Sequence, residues 1–257
     1  VNQILLAVKD CIEKQLLLFG STLTQDIIPR LSDSGIEIVY NTALPLAIVN
    51  EINQLFYCKL SAFLQPIFLS KVNGFFPENN KIYLVATVVK DGIEDIAIVN
   101  IPSSEVGRFT SLTAEDKSYV VVIDDILRAH AQSIFQCTII GDLYSIKVTR
   151  DAELNLDDEY KGDLAEKIEQ QIAKRDFGLA TRFLYDAAMP QDLREKIVGL
   201  LKLENANNVS GGRYHNLKDL AELPIGQAEL SYDRWPARQI TVAENSLWQR
   251  LKQKDVI

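Results

Sequence analysis

Two short stretches gather the side chains best suited to chemistry. In Lys147-Val148-Thr149-Arg150-Asp151-Ala152-Glu153 a strand runs into a charged turn. Arg150 offers a planar fork of donors that fits a phosphate oxyanion. The same side chain can pair with Asp151 or Glu153, or with a neighbouring domain. In Ser210-Gly211-Gly212-Arg213-Tyr214-His215-Asn216-Leu217-Lys218-Asp219 two glycines let the backbone approach a ligand or another chain closely. Arg213, His215 and Lys218, with Tyr214 among them, then concentrate cationic and protonatable groups in an acidic protein. Asn216 is placed to cap a helix carrying Leu217, Leu220 and Leu223, whose free N–H groups would add to anion affinity. Two readings stand open: a phosphate contact, and a glycine turn with a capped helix docked on a neighbouring domain.

Most other chemistries lack their residues. The sequence holds no G-x-x-x-x-G-K-[ST] phosphate loop, no G-x-G-x-x-G and no G-x-S-x-G elbow. His130 and His215 are the only histidines, too few for a histidine-rich metal site. His130 reads as a surface or core-edge residue. Asp157-Asp158-Glu159 reads as acid at the start of a helix, where the dipole favours it, rather than as a metal site. No metal ligand is therefore expected. Cys11, Cys58 and Cys137 are few, odd in number and far apart, which points to three buried thiols in a reducing cytoplasm.

Charge narrows the partners. Against 27 Lys and Arg stand 35 Asp and Glu, a net charge of −8. A broad basic face for duplex nucleic acid is unsupported, and a polyanion has only locally basic spots to use. No apolar run reaches the roughly 18 residues of a membrane span, and no signal peptide is visible. The chain begins with Val1 rather than Met, as expected of a piece excised from something longer.

The elements that must position these residues follow from periodicity. Ile4, Leu5, Val8, Ile12, Leu16 and Phe19 form one helical stripe, and Gly20-Ser21 should punctuate it before a shorter helix with Leu23, Ile27, Ile28 and Leu31. Such a stripe needs a partner, expected outside this chain. A second amphipathic helix runs from Pro45 to Pro66, with Ile48, Ile52, Leu55, Phe56, Leu60 and Phe63 facing one way. From Ile82 the period becomes two, and Asp91-Gly92 predicts a tight hairpin. Residues 119–123 predict a buried strand, followed by a helix over 126–135 capped by Asp124-Asp125. Strand, helix, strand, helix then follow: residues 143–149, a charged helix with Leu164, Ile168, Ile172 and Ala173, residues 181–185, and a helix opened by Pro190 with Leu193, Ile197 and Leu200 inward. The sum is an α+β chain, with N-terminal helices followed by a mostly antiparallel mixed sheet with packed helices.

In this order, the segments resemble the middle, or head, domain of bacterial polyphosphate kinase. The likeness rests on residues 98–102 with Val106-Gly107-Arg108-Phe109, similar to the family's IPSxxVPRF. It continues through residues 121–127, Val148-Thr149-Arg150-Asp151-Ala152-Glu153, and residues 181–183 with Ala188-Met189-Pro190. It closes on Gly211-Gly212-Arg213-Tyr214-His215-Asn216-Leu217-Lys218-Asp219 and Leu223-Pro224. It spans about residues 36 to 225. Gly107 departs from the pattern, which usually has proline there.

The resemblance implies a parent enzyme that reversibly moves the terminal phosphate of ATP onto polyphosphate. That enzyme uses Mg2+ and a phosphohistidine, is cytoplasmic (with membrane association as an alternative), and assembles as a homodimer or higher oligomer. It implies three parts here. Residues 1–32 would close an N-terminal helical domain, 33–225 would be the head domain, and 226–257 would lead into the first C-terminal catalytic domain. The reactive histidine would lie in the C-terminal domains, so no catalytic residue is expected in this chain and the chain alone should be inactive. No cofactor is assigned to it; ATP and Mg2+ belong to the parent, and its partners are the rest of that kinase chain and polyphosphate, not nucleic acid. Arg213, Tyr214, His215, Lys218 and Arg150 are the candidates for a phosphate-facing tunnel wall. The alternatives are a stand-alone polyanion- or nucleotide-binding module and a protein-interaction domain.

Overall fold

The structure is a computed structural model that describes residues 2–72, 74–150, 180–233, 235 and 236. The expected helix with Leu164, Ile168 and Ile172, and the acids at 157–159, lie outside the described residues. The chain divides into two compact units, 1–224 and 225–257. In the second, the described residues include one short turn of helix, Ala228–Leu230.

The first unit opens with helix α1 (Asn2–Thr22), a π-helical turn (Leu23–Ile27) and α2 (Ile28–Asp33). The helix does not break at Gly20-Ser21. A Cβ at Gly20 would meet open space, and the hydroxyls of Ser21, Thr22 and Thr24 satisfy themselves on carbonyls of Leu18 and Gly20 within the same helix. Ile4, Val8, Ile12, Leu16 and Phe19 are exposed, so the apolar stripe has no cover among the described residues. Strand β1 (Ile36–Val39) follows. Next come a 3-10 turn (Leu46–Ile48), α3 (Val49–Leu55), and further turns of helix to Phe63. Pro45 and Pro66 bracket this segment as expected. Ile48, Ile52, Phe56 and Leu60 are buried, but Phe63 is exposed.

After β2 (Ile67–Phe68) come β3 (Ile82–Lys90) and β4 (Ile93–Asn100), joined by Asp91-Gly92 with both residues at positive φ. That pair of left-handed residues is what a two-residue hairpin of type I′ requires. A short helix α4 (Ser103–Val106) ends at Gly107, φ 81°. Proline's ring holds φ near −65°, so the family's usual residue does not fit this backbone. Strands β5 (Phe109–Ala114) and β6 (Lys117–Val122) lead into α5 (Ile123–Ala129) and α6 (Ala131–Phe135). Then come β7 (Thr138–Arg150), β8 (Ala180–Asp186), α7 (Gln191–Leu200) and β9 (Asn207–Gly211). A 3-10 segment, Leu217–Glu222, closes the unit.

The strands divide into two mixed sheets. One has the order β1-β6-β5, the other β2-β4-β3-β7-β8-β9. Pairing is antiparallel except for β1 with β6 and β8 with β9. The α+β expectation holds. The larger sheet is covered on both faces, because alternate residues of β3 and β4 feed different cores. Leu84, Ala86, Val88, Ala97 and Val99 meet Ile52, Phe56, Val121 and Leu127 on one side. Val85, Ile98, Ile146, Val148 and Phe183 meet Leu193, Ile197 and Leu201 on the other.

Two expectations about burial are corrected. Cys11 and Cys58 are exposed and Cys137 is half-buried, so the three thiols are not core residues. Cys11 sits on a helix without cover, and Cys58 lies outward between the buried Phe56 and Leu60. Leu200 is 47% exposed, while Leu201 is 3% exposed. Helix α7 ends at Leu200, and Leu201 is the C-cap whose backbone turns its side chain into the core. Leu201→Ala is therefore expected to lower stability by about 2–5 kcal/mol, and Leu200→Ala by less than about 0.5 kcal/mol. Urea unfolding of the two variants checks this ordering.

Candidate functional site

Helix α5 starts directly on β6, so Asp124 and Asp125 fall in its first turn. Neither caps it. Val122 holds the N-cap position, and both carboxylates are buried. They serve as ion-pair partners instead. Asp124 accepts from Arg108 Nη2 at 2.8 Å, and Arg108 also reaches Asp219 at 3.4 Å. Asp125 accepts from Arg128 Nη1 at 3.1 Å, one turn further along the same helix. Its second oxygen accepts the Tyr214 hydroxyl at 2.5 Å. Removing one member of such a buried pair strands the other charge, at a cost of about 3–5 kcal/mol.

The segment after β9 is fastened into this network residue by residue. The Tyr214 hydroxyl also accepts the Asn41 backbone N–H at 2.6 Å, and its ring lies 4.4 Å from that of Tyr40. Arg213 donates to Asp142 at 2.9 Å. Its carbonyl accepts from Ser145 Oγ at 2.7 Å and Arg128 Nη2 at 3.2 Å. Lys147 Nζ donates to Asn216 Oδ1 at 2.7 Å. Ser145 and Lys147 are two residues apart on β7, so one face of that strand receives the segment twice. Asn216 is not a cap by its side chain. Its φ is 60°, it makes no capping bond, and its amide oxygen is committed to Lys147.

Burial sets the electrostatics. Burial raises the Asp125 carboxyl above its usual range, outweighing the Tyr214 and Arg128 hydrogen bonds. Burial also pushes Asp142 upward, but the Arg213 hydrogen bond, the Leu143 amide and the charges of Arg213 and Arg128 bring it below the ordinary value. The Tyr214 hydroxyl is raised by burial and by the neighbouring Asp125 charge. His215 is 3% exposed. Burial first, then the charges of Arg108, Lys147 and Arg128, lower its imidazole to about 3. Neither ring nitrogen makes a hydrogen bond among the described residues, although the Gly212 carbonyl is near enough to favour a proton slightly. The ring lies beneath the backbone of Gly211. A Cβ there would stand in ordinary contact with His215 Nε2 at 3.5 Å and would require the Leu184 Cδ1 methyl, 2.9 Å away, to shift.

The five candidates thus separate. Arg213, Tyr214 and His215 come together with α5 and β7, in a knot of acids and bases. Arg150 packs elsewhere: its guanidinium lies 3.4 Å over the Phe76 ring, and Nε donates to the Pro77 carbonyl at 3.1 Å. Burial lowers its affinity for a proton. Lys218 is exposed. Two further cations lie near it: Lys147, which heads the first stretch but is not one of the five candidates, and Arg182. Burial, Lys218 and Arg182 together lower the Lys147 ammonium. The signal of Lys147 and Arg182 in the sequence is the period-two alternation of β7 and β8, which sets both at polar positions. His130 is a core-edge residue, stacked 4.0 Å from Phe56, with its ring nitrogens on the Ile126 carbonyl and Asn53. Among the described residues no group of three His, Cys, Asp or Glu is placed to hold a metal ion. None of their helices is long and apolar enough to cross a membrane.

Comparison with known proteins gives one answer. The family model for the polyphosphate kinase middle domain matches residues 49–223. The polyphosphate kinase of Yersinia pestis is 30% identical over 189 residues, covering 70% of this chain and 28% of that protein. That of Escherichia coli K12 is 32% identical over 163 residues, covering 60% and 24%. The crystal structure of the Porphyromonas gingivalis polyphosphate kinase superposes with a TM-score of 0.69 at 25% identity, covering 98% of this chain and 36% of that one. The chain spans about a quarter of the length of the curated relatives it matches. With the family's middle domain matched across most of its length, the chain belongs to the polyphosphate kinase family.

Proposed function

We propose that this chain is the head domain of an ATP:polyphosphate phosphotransferase, a non-catalytic part whose reactive histidine lies elsewhere in the parent chain. The observation that carries this reading is the state of its two histidines. A phosphoryl acceptor needs an open, nucleophilic imidazole among cations free to hold phosphate oxygens. His215 is buried and neutral, and the nearby Arg108, Arg128 and Arg213 are turned to Asp124, Asp125 and Asp142. His130 has both nitrogens engaged. Neither can take a phosphate in line without unfolding its surroundings.

In this reading the domain helps build the homodimer and the wall of the active-site tunnel, in the cytoplasm. The uncovered stripe of α1 mates with the rest of the kinase chain. ATP and Mg2+ meet residues of that remainder, since the acids of this knot, Asp124, Asp125 and Asp142, are held by Arg108, Arg128 and Arg213.

Two measurements test it. Incubation of the 257-residue chain with radiolabelled ATP and Mg2+ is expected to give neither polyphosphate nor a labelled histidine. Stable label on His215 or His130, or turnover by this chain alone, contradicts the proposal. The second reads the inaccessibility of His215 through linkage. The unfolded imidazole takes a proton near its ordinary value of about 6.5, whereas the folded one stays neutral to about 3. Below pH 6.5 the unfolded state therefore binds more protons, and stability falls as pH falls through that window. From pH 7 to pH 5 the wild-type chain is expected to lose about 1–2 kcal/mol more than His215→Leu. Equal losses in urea unfolding would mean that His215 is not held neutral.

A further inference from the structure

The arginines around segment 213–219 have acids to match them, but three cations beside it have none among the described residues. In the β7–β8 register Thr149 stands opposite Arg182 and Lys147 opposite Leu184. Lys147 and Thr149 share a face of β7, so Arg182 lies diagonally across from Lys147, within reach of long side chains. This is the face away from α7, because Ile146, Val148 and Phe183 point to that helix. The hydrogen bond from Lys147 to Asn216 draws the 3-10 segment over the same face, and Lys218 follows two residues later. Lys218 and Arg182 are exposed and Lys147 is half-buried. None of the three makes an ion pair among the described residues. Asp219, the acid that opposes the charge on Lys147, is itself held by Arg108 at 3.4 Å.

A chain with net charge −8 has no solubility reason to set three cations side by side. Like charges at this spacing repel: after burial, the charges of Lys218 and Arg182 lower the Lys147 ammonium further. A polyanion lying along the face relieves it, and a thin one fits best. Three cations on one strand pair and one turn make a narrow stripe, and the acidic surface elsewhere repels a wide duplex.

We infer that Lys147, Arg182 and Lys218, with the Asn216 amide fixing Lys147 from the side, form a docking stripe for a polyphosphate chain on the outer face of β7 and β8. The inference rests on the polyphosphate kinase reading above and adds a binding site in a domain that performs no chemistry. The stripe holds a stretch of polymer by charge alone and does not touch the reacting phosphate.

Titration of the 257-residue chain with long-chain inorganic polyphosphate tests it, with affinity followed against salt. Wild-type chain is expected to bind, with affinity falling steeply as salt rises. Arg182→Ala with Lys218→Ala is expected to weaken binding by about tenfold or more, and to flatten the log–log salt slope by about 0.7 for each cation removed, as for a single-stranded polyanion. Both positions are exposed, so the fold is not at stake, and far-ultraviolet circular dichroism checks that. Lys196→Ala, on α7 behind the sheet and paired with Glu94, should bind as wild type. No binding by wild type, or equal binding by the double variant, overturns the stripe. Tighter binding of a single-stranded oligonucleotide of equal charge overturns the choice of ligand. These failures leave the kinase reading in place, which falls only if this chain itself takes label or turns over.

Discussion

Buried charge is the constraint on which the rest of this unit depends. Arg108, Asp124 and Asp125 are nearly sealed from solvent, and Arg128 keeps its guanidinium inside. None of these charges tolerates such a place alone. Each is therefore bound to a partner from another part of the chain: Arg108 to Asp124 and Asp219, Asp125 to Arg128 and Tyr214, Arg128 to Ser145 and the Arg213 carbonyl. Apolar burial is non-directional and by itself tolerates shifts of the segment at 213–219. The ionic knot tolerates none, because any shift would leave an unpaired carboxylate or guanidinium behind.

That constraint also sorts what the segment can do. A motif with Arg, Tyr, His and Lys in six residues looks like a ligand site, yet three of its four side chains are structural. Arg213 reaches back to Asp142, Tyr214 to Asp125, and His215 fills the space under Gly211. Only Lys218 is left facing solvent. Charge that can meet a ligand lies one strand over, on Lys147 and Arg182, where the sheet rather than the loop sets the geometry.

Much of the fold could be read from the sequence. The hairpin at Asp91-Gly92, the paired prolines at 45 and 66, and the strands at 143–149 and 181–185 follow from local chemistry alone. What failed needed long-range information. Asp124-Asp125 looks like a helix cap because a cap is the local use for two acids before an apolar run. Their partners Arg108 and Tyr214 stand 16 and 89 residues away, where no periodicity can announce them. Asn216 looked like a cap for the same reason and is instead an anchor for Lys147, 69 residues distant. The inward turn of Leu201 in place of Leu200 depends on where α7 ends, which a stripe cannot fix to one residue. The cluster of Lys147 with Arg182 was readable in principle. Both sit at the polar positions of alternating strands, and only the register that sets them diagonal was missing.

The most direct measurement of this account is a double-mutant cycle on Asp125→Asn and Tyr214→Phe, read by urea unfolding. If the hydrogen-bonded knot holds segment 213–219 to α5, the two changes should be strongly non-additive, with a coupling of about 1–3 kcal/mol. Additivity within about 0.5 kcal/mol would mean that the two side chains do not act on each other, and that something other than this buried network positions the segment.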